Sequence, residues 1–150
     1  MKTYAWLALP LMLTASVFAA DKIKLDGIKC PVSGEAAKDG TEVEYKGAKV
    51  YFCCENCPKA FKKDMAKYAT KANQQLFATK QAKEVKCPLT GKDLNKDTAI
   101  EVSGTKVAFC CNMCKGKVSA AKEDEQLELV FSDKAFEKGF EVEKKKEEKK

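Results

Sequence analysis

Residues 47–57 read GAKVYFCCENC, and residues 104–114 repeat the pattern as GTKVAFCCNMC. Every cysteine of the chain belongs to this repeat, because an offset of 57 positions carries the first four cysteines onto the last four. The eight positions are Cys30, Cys53, Cys54, Cys57, Cys87, Cys110, Cys111 and Cys114. From residue 28 to residue 57, 13 of 30 residues are identical in the second copy. Agreement of this extent at one fixed offset indicates a tandem duplication.

Each copy predicts a cysteine turn, a β-hairpin and an α-helix, in that order. The turn has the pattern Cys-Pro-x-x-Gly, in which proline fixes one dihedral angle and glycine can adopt a positive one. The hairpin strands are predicted at 42–45 and 49–52, and again at 99–102 and 106–109, with a glycine-containing tight turn inside each pair. We therefore expect an α+β fold of two small modules, each built around a cysteine cluster.

Helices are predicted directly after each cysteine cluster. Pro58 suits the first turn of a helix, and apolar residues recur at helical spacing as far as Tyr68. The second copy predicts a shorter helix near 115–122. A last short helix is predicted at 133–138, and it could begin from Ser132 as its N-cap.

Apolar stretches near the end of each copy are predicted as strands, at 75–79 and at 127–131. Four aromatic residues are better explained as core than as a binding platform, and these are Phe52, Phe61, Phe109 and Phe131. Met113 lies inside the second cysteine cluster. We expect its thioether to serve packing, with assistance to a bound Cu(I) ion as the alternative.

The two ends of the chain differ from the repeats. Residues 1–19 combine a single lysine, a short apolar run and a small-residue cleavage pattern, which is typical of a secretory signal peptide. Because the apolar run is too short to span a bilayer comfortably, we expect an extracytoplasmic protein, periplasmic or secreted, with no membrane span. The modules are then predicted at 22–83 and 84–142, followed by a charged, disordered tail at 143–150.

Composition excludes several classes of function. All 28 basic residues are lysine, whereas proteins that read nucleic acids depend on arginine for bidentate contacts, so no nucleic-acid partner is expected. The chain has no histidine, which removes the commonest general base and proton shuttle. No other residues form a pattern typical of a hydrolase or a transferase, and we expect no enzymatic activity.

The cysteine spacing predicts a site for a soft metal ion. In each copy one cysteine comes from the turn, and the others lie where a strand bends into a helix, a position that favours the metal-binding thiolate form. We expect Cys30, Cys53 and Cys57 as core ligands, with Cys54 as an additional ligand. The corresponding residues of the second copy are Cys87, Cys110 and Cys114, with Cys111. Four thiolates suit Zn(II) and two or three suit Cu(I), with one ion expected per module.

The spacing Cys-x22-Cys-x3-Cys, present twice, resembles that of the TRASH and YHS family of small metal-associated domains. The matching residues are Cys30-Pro31, Tyr45-x-Gly47, Tyr51-Phe52-Cys53-x3-Cys57 and Phe61, then Cys87-Pro88, Gly104 and Phe109-Cys110-x3-Cys114. The resemblance implies a treble-clef-like fold and a role in sensing, trafficking or resisting heavy metals, copper especially. It also implies a fourth ligand three residues after the first cysteine, where this chain has Ser33 and Thr90 instead.

The cysteines could also serve two roles that do not involve a metal. An even cysteine count in an exported chain is typical of a disulfide scaffold, which would make the protein an extracytoplasmic interaction module. The Cys-x-x-Cys patterns at 54–57 and 111–114 also occur in thiol–disulfide oxidoreductases, although those enzymes need a βαβ context and a hairpin precedes both patterns here. If the cysteines bind metal, the expected partners are the ion and another metal-handling protein.

Overall fold

The computed structural model of the protein describes residues 23–143. The predicted signal peptide at 1–19 and residues 144–150 of the predicted tail lie outside this range. Within it, no helix has both the length and the apolar character that crossing a membrane requires.

The described residues form six strands and five helices. In chain order they are β1 (Lys38–Tyr45), β2 (Ala48–Phe52), α1 (Asn56–Lys63), α2 (Met65–Ala78), β3 (Ala82–Glu84), β4 (Asn95–Val102), β5 (Thr105–Phe109), α3 (Asn112–Ser119), α4 (Glu123–Phe131), α5 (Asp133–Gly139) and β6 (Phe140–Val142). The strands form three antiparallel pairs, β1 with β2, β4 with β5, and β3 with β6. This mixture of small sheets and helices confirms the predicted α+β class.

The two predicted hairpins are present and equivalent. β1–β2 and β4–β5 have the same strand lengths and the same offset of 57 residues. Each closes through two residues with positive φ, Lys46 and Gly47 in the first and Ser103 and Gly104 in the second. Turns of this kind match the right-handed twist of the flanking strands, which explains why a glycine stands at the second turn position in both copies.

A repeated threonine completes each hairpin where the ladder is irregular. The register of β1 against β2 shifts between Lys38 and Val43. Across this gap, the Thr41 hydroxyl donates to the Phe52 carbonyl oxygen at 2.5 Å and accepts from the Phe52 N–H at 3.2 Å. Thr98 does the same with Phe109, at 2.6 and 3.0 Å. In both copies the threonine hydroxyl thus bonds the N–H and the carbonyl of the strand residue before the cysteine pair.

The helix predicted after the first cluster is two helices. α1 ends at Lys63 and α2 begins at Met65, with Asp64 between them at φ −146° and ψ 74°. The Asp64 carboxylate accepts from the Lys67 N–H at 3.2 Å and so caps α2. In the second copy, α3 covers 112–119, three residues earlier than the predicted 115–122.

Both strands predicted near the ends of the copies are wrong. Residues 75–79 belong to the last turn of α2 and its C-cap, and 127–131 form the second half of α4. A short apolar run has the same appearance in a strand and in a buried helix. The helix is favoured in α4 by three acidic residues in its first turn, which suit the positive end of the helix dipole. The last predicted helix is present as α5, although the Ser132 side chain makes no capping bond.

One apolar core spans both copies. The four aromatic residues predicted as core, Phe52, Phe61, Phe109 and Phe131, are each 0% exposed. The rings of Phe77, Phe131 and Phe140 pack together with centroid distances of 5.0 to 5.9 Å. Phe77 comes from the first copy and the other two from the second, so the two halves are joined by packing as well as by sequence.

Two polar contacts also join the copies. β3 pairs with β6, and the predicted boundary after residue 83 falls inside β3. At the start of α5, the Asp133 carboxylate accepts from Lys46 Nζ at 2.8 Å, from Asn73 Nδ2 at 3.0 Å and from the Tyr45 hydroxyl at 3.2 Å. The second copy is thereby fixed against the hairpin and the long helix of the first.

Candidate metal centre

Three cysteines of the first copy bring their sulfur atoms together. The Sγ atoms of Cys30, Cys53 and Cys57 all lie within 4.8 Å of one another, and those of Cys53 and Cys57 are 3.6 Å apart. Cys30 and Cys57 are 1% and 8% exposed, whereas Cys53 is half-buried. The structure thus unites the three residues that the sequence predicted as core ligands.

The second copy repeats this arrangement closely. Cys87, Cys110 and Cys114 also have all three Sγ atoms within 4.8 Å, with 3.6 Å between those of Cys110 and Cys114. A metal bonded to three sulfurs at about 2.3 Å holds those sulfurs about 3.8–4.0 Å apart. In each of these groups of three cysteines, called trios below, the separation of 3.6 Å is close to this range and the others are within 4.8 Å, so each trio could hold one ion.

Two backbone hydrogen bonds close the cysteine turn. The Cys30 N–H donates to the Glu35 carbonyl at 2.7 Å, and the Gly34 N–H donates back to the Cys30 carbonyl at 2.9 Å. Gly34 has φ +79°, which a residue with a side chain rarely adopts. In the second copy Cys87, Lys92 and Gly91 repeat these two bonds at 2.9 and 2.7 Å. The Cys-Pro-x-x-Gly pattern therefore encodes a rigid loop that presents one sulfur inward.

A hydroxyl stands beside each trio where a fourth sulfur would be expected from the family resemblance. Ser33 Oγ lies 3.2 Å from Cys53 Sγ, and Thr90 Oγ1 lies 3.3 Å from Cys110 Sγ. Both hydroxyls are neutral oxygen groups, which are poor ligands for soft metals. Each site therefore offers three sulfurs and one oxygen on the side of the turn.

The turn cysteines are prepared as thiolates. Burial raises the pKa of Cys30, but hydrogen bonds from the Ser33 hydroxyl and from nearby backbone amides outweigh it and bring the pKa down to about 7. The pKa of Cys87 is about 7 for the same reasons, with Thr90 in place of Ser33. Since the thiolate is the metal-binding form, one ligand of each trio is available near neutral pH before any ion arrives.

The cysteines at the starts of the helices, Cys57 and Cys114, have raised pKa values. Burial and contacts with the neighbouring thiols raise the pKa of Cys57 far above its usual range. The pKa of Cys114 is raised to about 12 for the same reasons. A bound cation would reverse this preference by replacing the protons, so metal binding at either trio is coupled to proton release.

Cys54 and Cys111 lie at the edge of the trios. The Sγ of Cys54 is 3.5 Å from that of Cys57, and the Sγ of Cys111 is 3.6 Å from that of Cys110. Neither belongs to a described group whose ligand atoms all lie within 4.8 Å of one another. Cys54 is exposed and Cys111 is half-buried. The structure therefore separates these two cysteines from the six that form the trios.

Gln75 supports the first site through hydrogen bonds to the backbone beside the cysteines, and the sequence analysis did not identify this role. This α2 side chain is 1% exposed. Its Oε1 accepts from the Tyr51 N–H at 2.7 Å, while its Nε2 donates to the Tyr51 and Lys29 carbonyls at 2.8 and 2.9 Å. Lys29 precedes the turn cysteine and Tyr51 lies on the strand leading to the cluster. One amide thus joins the two segments whose sulfurs must meet.

Glu84 takes the corresponding position in the second copy. Its Oε2 accepts from the N–H of Ala108, the residue that matches Tyr51 in the repeat, at 3.0 Å. Its Oε1 is buried and has no hydrogen-bond partner among residues 23–143. Burial raises the pKa of Glu84 to about 7. A protonated carboxyl has the donor and acceptor that an amide has, so the neutral form resembles Gln75 most closely.

Gly139 supports the second cysteine turn. Its carbonyl accepts from the N–H groups of Val85 and Lys86, at 2.8 and 3.1 Å. A Cβ atom at this position would lie 2.8 Å from the Lys86 carbonyl oxygen and 2.8 Å from the Cα of Pro88. These backbone atoms flank Cys87, so the corner between α5 and β6 touches the ligand turn directly. A lone glycine near the end of the chain gave no sequence signal for this role.

Met113 does not have the packing role expected from the sequence. It is 84% exposed, in the first turn of α3 between Cys111 and Cys114. That expectation is wrong because the side chain points away from the core that Cys114 helps to form. Its thioether is a soft group at the rim of the second site, where the first copy has Asn56.

Comparisons of this chain with family models, with curated proteins and with solved structures found no match. The geometry supports one part of the family resemblance. The chain has two cysteine clusters in tandem, and each could hold a metal ion. The fold and the site thus define a small α+β protein with two candidate three-cysteine centres.

Replacing Gly139 with alanine should weaken the second site selectively. Because the new Cβ would press on the backbone around Cys87, we expect Gly139→Ala to lower metal affinity there by about tenfold or more and to spare the first site. Competitive metal titration in a background lacking the first site measures this. Gly116→Ala is the matched control, since a Cβ at Gly116 in α3 meets nothing within 4 Å. Equal affinity of the Gly139→Ala variant and the parent would contradict the assigned role.

Replacing Glu84 with glutamine should change the pH dependence of stability. The folded protein holds the Glu84 proton up to about pH 7, whereas the unfolded chain releases it near 4.5, so this group's stabilisation is lost as pH rises between those values. Since the side chain keeps some solvent contact, we expect Glu84→Gln to be more stable by about 1–2 kcal/mol at pH 8 and little changed at pH 4.5. Urea unfolding at both pH values tests this. Exposed Glu101→Gln is the control, and an equal pH slope in Glu84→Gln and wild type would refute the prediction.

Proposed function

We propose that this chain is an exported binding protein for soft heavy-metal ions, copper or zinc, holding one ion in each copy of the repeat. The observation that carries the proposal is the duplicated trio, in which three sulfur atoms from separated parts of the sequence lie within 4.8 Å of one another. A single cluster of this kind could arise from core packing. Two equivalent clusters with the same supporting turns favour a ligand role.

The donor set favours a cation that accepts few, soft ligands. Thiolates select Cu(I) and Zn(II) over hard cations, and three thiolates satisfy Cu(I) without a further group. A structural Zn(II) ion takes four ligands, so here it would need Cys54 or Cys111, or a water molecule, in addition to the trio. Cu(I) therefore fits the buried trio with the fewest additional contacts.

The role outside the cytoplasm follows from the signal-peptide pattern of residues 1–19. In that compartment a protein with two metal sites, and with no histidine for acid–base chemistry, is best suited to act as a buffer, carrier or accessory binder. Another metal-handling protein would then be the natural source or recipient of the ion. We propose no catalytic activity for the chain.

The second candidate is a disulfide-stabilised extracytoplasmic interaction module. It is favoured by the sulfur separations of 3.5 and 3.6 Å at Cys54–Cys57 and Cys53–Cys57, from which a bond could form with a small movement. The Cys-x-x-Cys spacing at the start of α1 likewise supports a thiol–disulfide oxidoreductase as a third candidate. All three candidates use the same cysteines, so one experiment on the oxidation state distinguishes binding from cross-linking.

Replacing one turn cysteine should weaken the binding of one ion. We expect the reduced wild-type protein to bind two Cu(I) ions tightly, Cys30→Ser and Cys87→Ser to bind one of the two about tenfold or more weakly, and the double variant to bind both weakly, because each altered site loses one buried thiolate and keeps only two sulfurs of its trio. Anaerobic titration against a competing chelator, with native mass spectrometry, gives the stoichiometry. Binding of no Cu(I) or Zn(II) by reduced wild type, or a purified chain lighter by two hydrogens per cysteine pair, would favour the disulfide candidate.

Adding the missing sulfur should change which metal is preferred. In the variant Ser33→Cys with Thr90→Cys, a thiolate replaces the hydroxyl beside Cys53 and Cys110 and completes a four-sulfur set, so we expect Zn(II) affinity to rise by about tenfold or more. Competition with a Zn(II) indicator measures the change. Ser33→Thr with Thr90→Ser is the matched control, because it keeps a hydroxyl at both positions, and it should leave Zn(II) affinity nearly unchanged. An equal Zn(II) affinity in the cysteine variant would show that these positions do not face the ion.

A further inference from the structure

Two cysteines remain outside the trios, at the same place in both copies. Cys54 and Cys111 each follow one trio member directly and precede another by three residues. Their environments differ from those of the trios, in each of which two of the three cysteines are buried. Cys54 is exposed, and Cys111 is half-buried. The first copy therefore has an exposed sulfur beside its trio, and the second has a partly exposed one.

The outer sulfurs, those of Cys54 and Cys111, touch trio sulfurs in both copies. Cys54 Sγ lies 3.5 Å from Cys57 Sγ, and Cys111 Sγ lies 3.6 Å from Cys110 Sγ. Cys54 also interacts with the Cys53 thiol, and Cys111 with the Cys114 thiol. In each copy the outer sulfur therefore contacts both cysteines of the strand–helix corner, so it could bond to an ion held there with little movement.

A buried trio cannot exchange its ion easily without such a group. Thiolates exchange around soft ions by attack, in which an incoming sulfur binds before another leaves, and the rate depends on access to the reacting centre. Cys30 and Cys57 are 1% and 8% exposed and Cys53 is half-buried, so an ion among them would be largely shielded from a thiol of another molecule. An internal sulfur at the solvent boundary can make the first attack from within the protein.

We propose that Cys54 and Cys111 are exchange ligands, through which each ion passes between its trio and a partner that presents exposed thiols. In the step at the first site, the Cys54 thiol gives its proton to solvent and forms a metal–sulfur bond. The bond from the ion to Cys57 breaks, and Cys57 takes a proton from solvent. No electron is transferred. The ion is then held at the surface, where a thiolate of the partner can displace Cys54. This inference rests on the metal-binding role proposed above.

The test measures the affinity for the ion and the rate of its release separately. Wild type and Cys54→Ser with Cys111→Ser are loaded with Cu(I) under anaerobic, reducing conditions, and transfer to glutathione and to a Cys-x-x-Cys peptide is followed by stopped-flow. We expect the variant to keep two ions with unchanged affinity and to release them more slowly, by about tenfold or more, to both thiol acceptors. Each single variant should show one fast and one slow ion.

The controls distinguish the ways in which the experiment could fail. Asn56→Ser with Asn112→Ser changes the exposed first turns of α1 and α3 without touching sulfur, and it should release both ions at the wild-type rate. An unchanged rate in the cysteine variant would overturn the inference, as would loss of affinity, since the outer cysteines would then be resident ligands. Failure of reduced wild type to load either Cu(I) or Zn(II) would instead refute the proposed function itself.

Discussion

The structure depends on holding a cysteine turn against a strand–helix corner that is more than 20 residues away in sequence. The local segments cannot fix this approach by themselves. In the first copy the Gln75 amide joins them by three hydrogen bonds, and the residue is almost wholly buried. In a low-dielectric interior such bonds are strong and costly to leave unmade. The long helix α2 therefore serves the sulfur site as well as the core.

The two copies use different elements to hold the cysteine turn against the hairpin. After α1 the first copy continues into one long helix, whereas after α3 the second forms α4, α5 and β6. Glu84 bonds the strand β5 as Gln75 bonds β2, but a different residue, Gly139 near the end of the chain, supports the second turn. The hairpins and the trios of the two copies match at the fixed offset of 57 residues. The copies differ in the residues that hold these parts in place.

The sequence predicted what is local and repeated. The turn pattern and the Lys46-Gly47 hairpin follow from short-range rules, and the exact repeat of the cysteine spacing identified the trio around Cys53. The strands predicted at 75–79 and 127–131 were wrong because stretches of five residues are too short to show a clear period. Gln75 was not identified as a supporting residue because its partner at Lys29 is 46 positions away, and no local pattern marks such a contact.

Because the two copies share one core, they cannot easily be separated from each other. Phe77 of the first copy packs its ring against Phe131 and Phe140 of the second, and Asp133 accepts three hydrogen bonds from the first. Cutting the chain between the copies would leave an aromatic surface open to water and an acidic group without its donors. Such a fragment would tend to self-associate. The two copies are therefore expected to fold together as one cooperative unit.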